Sequence, residues 1–244
     1  MNAFARCLIW LALVLQGPLT TPAWAAELVL LIDTATEMPM QHIVDGKLLD
    51  GAHKDIGDAL ASHLGRQARY LALPRLRIAR ALEDGVADVL CGYVPEWLPG
   101  PFDWSRPFIP AGDVVITDSR APRPLTLKDL AGQRIGTVHG YVYRELEESL
   151  GPDFVRDDGP NSEANLRKLA SGRFAHAVLS KGVLEYRLKL QDPPLSLHPP
   201  LVLKEVFTRC AVSRRGHVSV EEVDRAITAM VSEDLMTKVA QRYR

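Results

Sequence analysis

The sequence predicts an α/β protein folded into two lobes. Strand-length apolar runs alternate with amphipathic helical stretches, a pattern that favours a largely parallel sheet covered by helices. The alternation runs once, breaks, and starts again. The break (107–118) and the later return (201–213) both read as long extended segments. Two crossings then join two α/β units and leave a cleft between them, a favoured place for a ligand.

The first unit begins with ELVLLID, Glu27 to Asp33, an apolar run of strand length. DIGDALASHLG, Asp55 to Gly65, puts Ile56, Ala59, Leu60 and Leu64 on one helical face, and Gly65 stops the helix. ARYLAL, Ala68 to Leu73, is strand-like. Pro74 suits the first turn of a helix running to Asp84, with Gly85 just past its end. ADVLCGY is the third strand. YVPEWLPGPFDWSRPF, Tyr93 to Phe108, follows; its four prolines exclude a helix interior or a central strand.

The second unit follows PFIPAGDVVITD, Pro107 to Asp118. Thr126 to Asp129 reads as a short capped helix, QRIGTV as a strand, and Gly140 leads into a helix through Leu150. DFVRD is a short strand. Asn161 or Ser162 caps a helix through Ala170, with Gly172 beyond it. FAHAVLS, Phe174 to Ser180, is a strand, followed by a helix to about Leu190. After a Pro-rich segment, LVLKEVFTRCAVS reads as extended. Ser219 to Glu222 forms a capping box that opens helical sequence through Tyr243.

Residues 1–25 read as a secretory signal peptide: Arg6 is the positive n-region, LIWLALVL is an h-region too short to span a bilayer, and Ala23-Trp24-Ala25 fits a cleavage site. Export to the periplasm is the expectation, with about 219 residues left after cleavage. Those carry 28 basic and 30 acidic residues, a net charge near −2, which leaves no electrostatic footprint for nucleic acid. Two cysteines remain, Cys91 and Cys210. An oxidising compartment permits a disulfide between them, while their apolar strand-like settings suit buried free thiols equally well. Phosphate-binding, dinucleotide-binding, nucleophile-elbow and zinc-protease motifs are missing from the sequence, and the seven histidines show no paired ligand spacing. No catalytic residue, metal or cofactor is therefore expected.

Several segments, in order, resemble the family 3 extracellular solute-binding proteins, which have the type 2 periplasmic binding fold. They are DGKLLDGAHKDIGDALASHLG, ALEDGVADVL, FDWSRPF, LTLKDLAGQRIGTVHG and NLRKLASGRFAHAVLS. The resemblance implies one lobe of 26–115 plus about 205–244 and another of 116–204, each a mixed, mainly parallel sheet flanked by helices, closing on a small ligand by hinge motion. It implies a monomer that delivers its solute to an inner-membrane ABC permease. The same fold also serves membrane sensors and, rarely, enzymes.

Two departures stand out against the family pattern. Where amino-acid binders carry a carboxylate-pairing Arg, this chain has Gly100. Where they carry an acid for the ligand ammonium, it has Ser180, followed by Lys181. An unpaired ligand charge would cost several kcal/mol, which disfavours an ordinary α-amino acid. Arg75 and Glu37 take positions often filled by aromatic walls. Arg75 could pair with an anion or lie on a ring, or be a solvated charge beside Arg77 and Arg80. Tyr93, Glu96 and Trp97 fall on the first-lobe ligand loop, where aromatic faces hold ring-bearing or cationic groups and Glu96 could answer a cation. Trp104 replaces the Phe of the family's F-S-x-P-Y segment and reads as structural. In the second lobe, Tyr141 and Tyr143 stand at a helix start, positions usually small and hydroxylated. Arg144 beside them is a candidate contact or an ordinary surface charge.

Overall fold

The computed structural model describes residues 26–191 and 194–243. The signal-peptide expectation lies outside the described residues. The first elements are β1 (Glu27–Asp33), β2 (His42–Val44), β3 (Lys47–Asp50), α1 (Ala52–His63), β4 (Gln67–Leu73), α2 (Arg75–Glu83), β5 (Val89–Tyr93) and β6 (Asp103–Trp104). Then come β7 (Ile109–Thr117), β8 (Arg134–Val138), α3 (Arg144–Leu150), β9 (Val155–Gly159), α4 (Ser162–Ala170), β10 (His176–Ser180) and α5 (Lys181–Leu190). The chain finishes with β11 (Leu201–Val212), α6 (Val220–Ser232) and α7 (Leu235–Tyr243).

The strand order is β4-β1-β5-β11-β7-β10-β8-β9, with β6 pairing to β11. The first-lobe strands β4, β1 and β5 run parallel to each other, and so do β8, β9 and β10 of the second lobe. β7 and β11 are the crossings. They pair antiparallel over Ile109–Val115 and Leu201–Thr208; β11 then continues beside β5, and β7 beside β10. One curled mixed sheet thus serves both lobes, and its middle strands are the two crossings between them.

Side-chain alternation puts two cores in each lobe, one on either face of the sheet. In β1, Leu28 and Leu30 face α1 and α6, against Ile56, Leu60, Val223 and Ile227. Val29 and Leu31 face α2, against Ile78, Leu82, Leu98 and Phe102. A strand's period of two delivers apolar residues to both faces only when both faces are covered, as in a parallel sheet. In β7 the same rule sends Val114 and Ile116 toward α4 and α5, and Val115 toward α3.

Some elements differ from the sequence expectation. Asp45-Gly46, with φ of 49° and 75°, turns an extra hairpin, β2–β3; Asp-Gly is the dipeptide such a turn demands. α3 starts at Arg144, not directly after Gly140, so Tyr141 to Tyr143 lie in a loop rather than on a helix start. The terminal helical sequence breaks between α6 and α7, where Asp234 takes a φ of 58°. Thr126 to Asp129 does form a capping box, on a single 3-10 turn.

The cysteines are bonded. Cys91 on β5 faces Cys210 on β11 in an antiparallel register, and a Cys91–Cys210 disulfide spans a sequence separation of 119. It ties the returning strand to the first lobe.

Candidate functional site

A cleft of about 690 Å³ lies between the lobes, lined from both. From the first lobe come Glu37, His53, Arg75, Gly92, Tyr93 and Trp97. From the second come Tyr141, Tyr143, Ser180 and Lys181, while Asp113 contributes from the crossing strand β7. A smaller depression, about 390 Å³, lies on the outer surface among Arg80, Glu83, Asp84 and Arg214. Two of its charges are already paired, Arg80 to Asp84 at 2.7 Å and Arg214 to Asp103 at 2.9 Å, and it is lined from one side of the molecule only.

Arg75 opens α2 and turns into the cleft. Its guanidinium lies over the Tyr93 ring at 4.4 Å and over the Tyr141 ring at 5.2 Å, so one cation bridges an aromatic from each lobe. Nη2 donates to the Trp97 carbonyl oxygen. Nη1 is buried and has no hydrogen-bond partner. A buried donor without an acceptor is costly, and it marks where an acceptor is wanted. The Tyr93 hydroxyl donates to Asp33 Oδ2 at 3.0 Å, and Asp33 is itself buried at the end of β1. Burial, with the Asp33 charge second, pushes the phenols of Tyr93 and Tyr141 up, so both remain neutral donors at any physiological pH.

Glu37 crosses the cleft. Its carboxylate accepts from the Glu163 N–H at the start of α4, with Oε2 at 2.8 Å and Oε1 at 3.2 Å. Arg187 Nη2 stands 4.0 Å from Glu37 and 3.0 Å from Glu163. Burial pushes the Glu37 carboxyl up to about 7, although the Glu163 N–H and Arg187 both pull it down. Glu37 is therefore a tie between the lobes rather than a free wall of the cavity.

Ser180 lines the cleft, but its hydroxyl caps α5 by accepting from the Val183 N–H at 3.3 Å. Tyr143 is buried and its hydroxyl oxygen accepts from the Val138 N–H at 2.9 Å, fixing the loop before α3. Glu96 and Arg144 are exposed, and neither is among the cleft-lining residues. Pro95–Trp97 forms a 3-10 turn that presents Trp97 inward and Glu96 outward, and Arg144 projects from the first turn of α3. Trp104 packs with the α2-facing core, and Arg106 lies outside the cleft, bonded to Asp224 and Thr228.

The Gly100 departure has a steric cause. A Cβ at Gly100 would stand 2.4 Å from the Phe102 ring, which is buried in the core. No arginine can occupy that position while Phe102 packs there. Sequence reasoning missed two cleft groups, His53 and Asp113, and the buried acid that the Tyr93 hydroxyl meets, Asp33. Asp33 is hidden at a strand end. His53 sits beside Gly92, its Nδ1 accepting from Gln41 Nε2 at 2.8 Å, and burial pushes it down to about 4. Asp113 is a lone charge inside an apolar strand, and that isolation is the signal that could have found it. His176 is a satisfied core residue bonded to Thr117, and His139 is exposed. Among the described residues no three His, Cys, Asp or Glu side chains gather as a metal site.

No protein-family model matches the chain, and no curated protein matches it significantly. Solved structures do. An ancestral arginine-binding protein bound to arginine superposes with a TM-score of 0.76 at 21% identity, over 90% of this chain and 99% of that one. An ancestral amino acid-binding protein, a precursor of cyclohexadienyl dehydratase, gives 0.72 at 18% identity over 89% and 95%. The arginine-, lysine-, histidine-binding protein ArtJ of Geobacillus stearothermophilus gives 0.71 at 17% over 89% and 94%. The chain has the two-lobed fold of the periplasmic amino-acid-binding proteins of ABC transporters, at identities that speak for the fold alone.

Proposed function

We propose that this chain is a periplasmic solute-binding protein. It captures a small polar or ring-bearing solute in the cleft and presents it, as a monomer, to an ABC-type importer in the inner membrane. The lobes that close on the solute are 26–115 with 205–244, and 116–204. The observation that carries the reading is Arg75: a half-buried cation framed by Tyr93, Tyr141 and the Trp97 carbonyl, with its buried Nη1 still unmatched, in a cleft lined by both lobes. The fold shared with amino-acid-binding proteins supports it.

An enzyme on this fold is favoured by one feature, a Glu37 carboxyl held near neutral pH. Its oxygens are committed to the start of α4, so we assign it to closure rather than to proton transfer. A regulatory subunit serving a membrane sensor would use the same cleft, and the neighbouring genes separate that role from import. Native mass spectrometry of freshly purified protein, followed by scattering with and without the released small molecule, tests the binding reading. A bound mass and a compaction on rebinding support it; a bare protein that no metabolite compacts counts against it.

A further inference from the structure

Asp113 lies midway along β7, the strand that crosses from one lobe to the other, and is the only charged residue in IPAGDVVIT. In the antiparallel ladders it stands opposite Ser180 of β10 and opposite Lys204 of β11. Directly opposed residues carry their side chains about 5 Å apart on one face, so Asp113 and Ser180 share a stretch of cleft wall; both line the cavity. Tyr143 is the aromatic beside them.

The Asp113 carboxylate accepts no hydrogen bond and makes no ion pair within 4.0 Å among the described residues. Lys204, the cation the ladder places nearest, gives its Nζ to Glu145 at 3.3 Å. Burial pushes Asp113 up to about 6, Glu145 adds to the rise, and Lys204 opposes it. At neutral pH the group is thus mostly ionised, half-buried in the cleft wall and without a direct partner, an arrangement that a cation in the cleft would relieve. A water could solvate it, but a protonated amine supplies both the opposite charge and the donors.

We propose that Asp113 is the cleft's receptor for a protonated amine, so that the solute this protein selects carries a positively charged nitrogen. The inference rests on the solute-binding reading above. It makes Asp113 the specificity-determining residue of the crossing strand, with Arg75 left to meet an acceptor oxygen of the same solute.

The test uses amine solutes paired with hydroxyl counterparts: 4-aminobutyrate with 4-hydroxybutyrate, and 1,4-diaminobutane with 1,4-butanediol. Each is titrated calorimetrically into the full chain and into Asp113→Asn, with Asp113→Ser as a second variant should Asn disturb folding. The wild type should prefer the amine member of a bound pair at least tenfold. Asp113→Asn should erase that preference by weakening the amine roughly 10- to 100-fold, the scale of a charge-assisted hydrogen bond. A purely structural Asp113 would lower the melting temperature of the variant and leave the preference unchanged, which overturns the proposal. Hydroxyl members that bind as well as amines overturn it while the cleft reading stands. If neither series binds while another metabolite does, the proposal falls and the cleft reading stands; if no metabolite binds, both fall.

Discussion

Replacing Glu37 by Gln separates the two forces acting on the tie across the cleft. Burial disfavours the carboxylate, while the Glu163 N–H, the start of α4 and Arg187 favour it. A helix N-terminus is worth at most about 2 kcal/mol to a partly buried anion, and Arg187 spends its closer contact on Glu163. Burial wins: the carboxyl rises from 4.5 to about 7. At about 1.4 kcal/mol for each tenfold change in proton affinity, that is on the order of 3 kcal/mol. The folded protein holds the Glu37 proton more tightly than the unfolded chain does. Below pH 4.5 both states are protonated and the contribution is fully present. Between pH 4.5 and 7 the unfolded chain ionises first, so stability falls, and above about 7 it levels off. Glu37→Gln keeps an acceptor for the Glu163 N–H and cannot ionise. Denaturant unfolding at a series of pH values should show the variant equal to wild type near pH 4.5, and more stable by about 1–3 kcal/mol at pH 8. Asp113 titrates in the same window in both proteins, so only the difference between them reports on Glu37. Parallel pH curves, or a variant weaker than wild type at pH 8, would refute the reasoning.

Three further outcomes follow from the same geometry. Arg75→Ala should weaken solute binding by about 1.5–3 kcal/mol in calorimetry, because it removes a charged donor from a buried acceptor. Glu96→Gln and Arg144→Ala should leave affinity within about 0.5 kcal/mol of wild type in the same titrations, since both side chains are exposed outside the cleft lining. Replacing Cys91 and Cys210 with Ala should cost about 4–5 kcal/mol in denaturant unfolding under oxidising conditions, as loop-closure entropy predicts for a separation of 119; reductant should bring the wild type down to the double variant.

The order of elements was legible because each helix carries its own stop or cap and each strand its own apolar run. Gly65, Gly85 and Gly172 sit just past helix ends with positive φ, where sequence placed them. The Asp45-Gly46 hairpin was equally visible as a dipeptide, yet lay inside a segment read whole as a family motif. The late start of α3 was hidden: nothing in Tyr141-Val142-Tyr143 forbids a helix, and tertiary bonds decide it, the Tyr143 hydroxyl accepting from Val138 and Arg156 donating to the Tyr141 carbonyl. At the site, Arg75 and Trp97 could be located from the family resemblance, but not the carbonyl and rings that surround the guanidinium. Glu96 and Trp97 are adjacent, and only the 3-10 turn decides which faces the cleft. Asp113 and Ser180 are 67 positions apart and meet only through strand register, which no local pattern encodes.

The central claim is that a solute sits in the cleft against Arg75, Tyr93 and Trp97. Of the two tryptophans in the described residues, only Trp97 lines that cavity. Its emission during titration with a metabolite panel is the most direct measurement. The account predicts a saturable change with one or a few solutes that disappears in Trp97→Phe and shifts to higher concentration in Arg75→Ala. A panel that leaves the emission unchanged, or a binding curve that Arg75→Ala does not move, would contradict it.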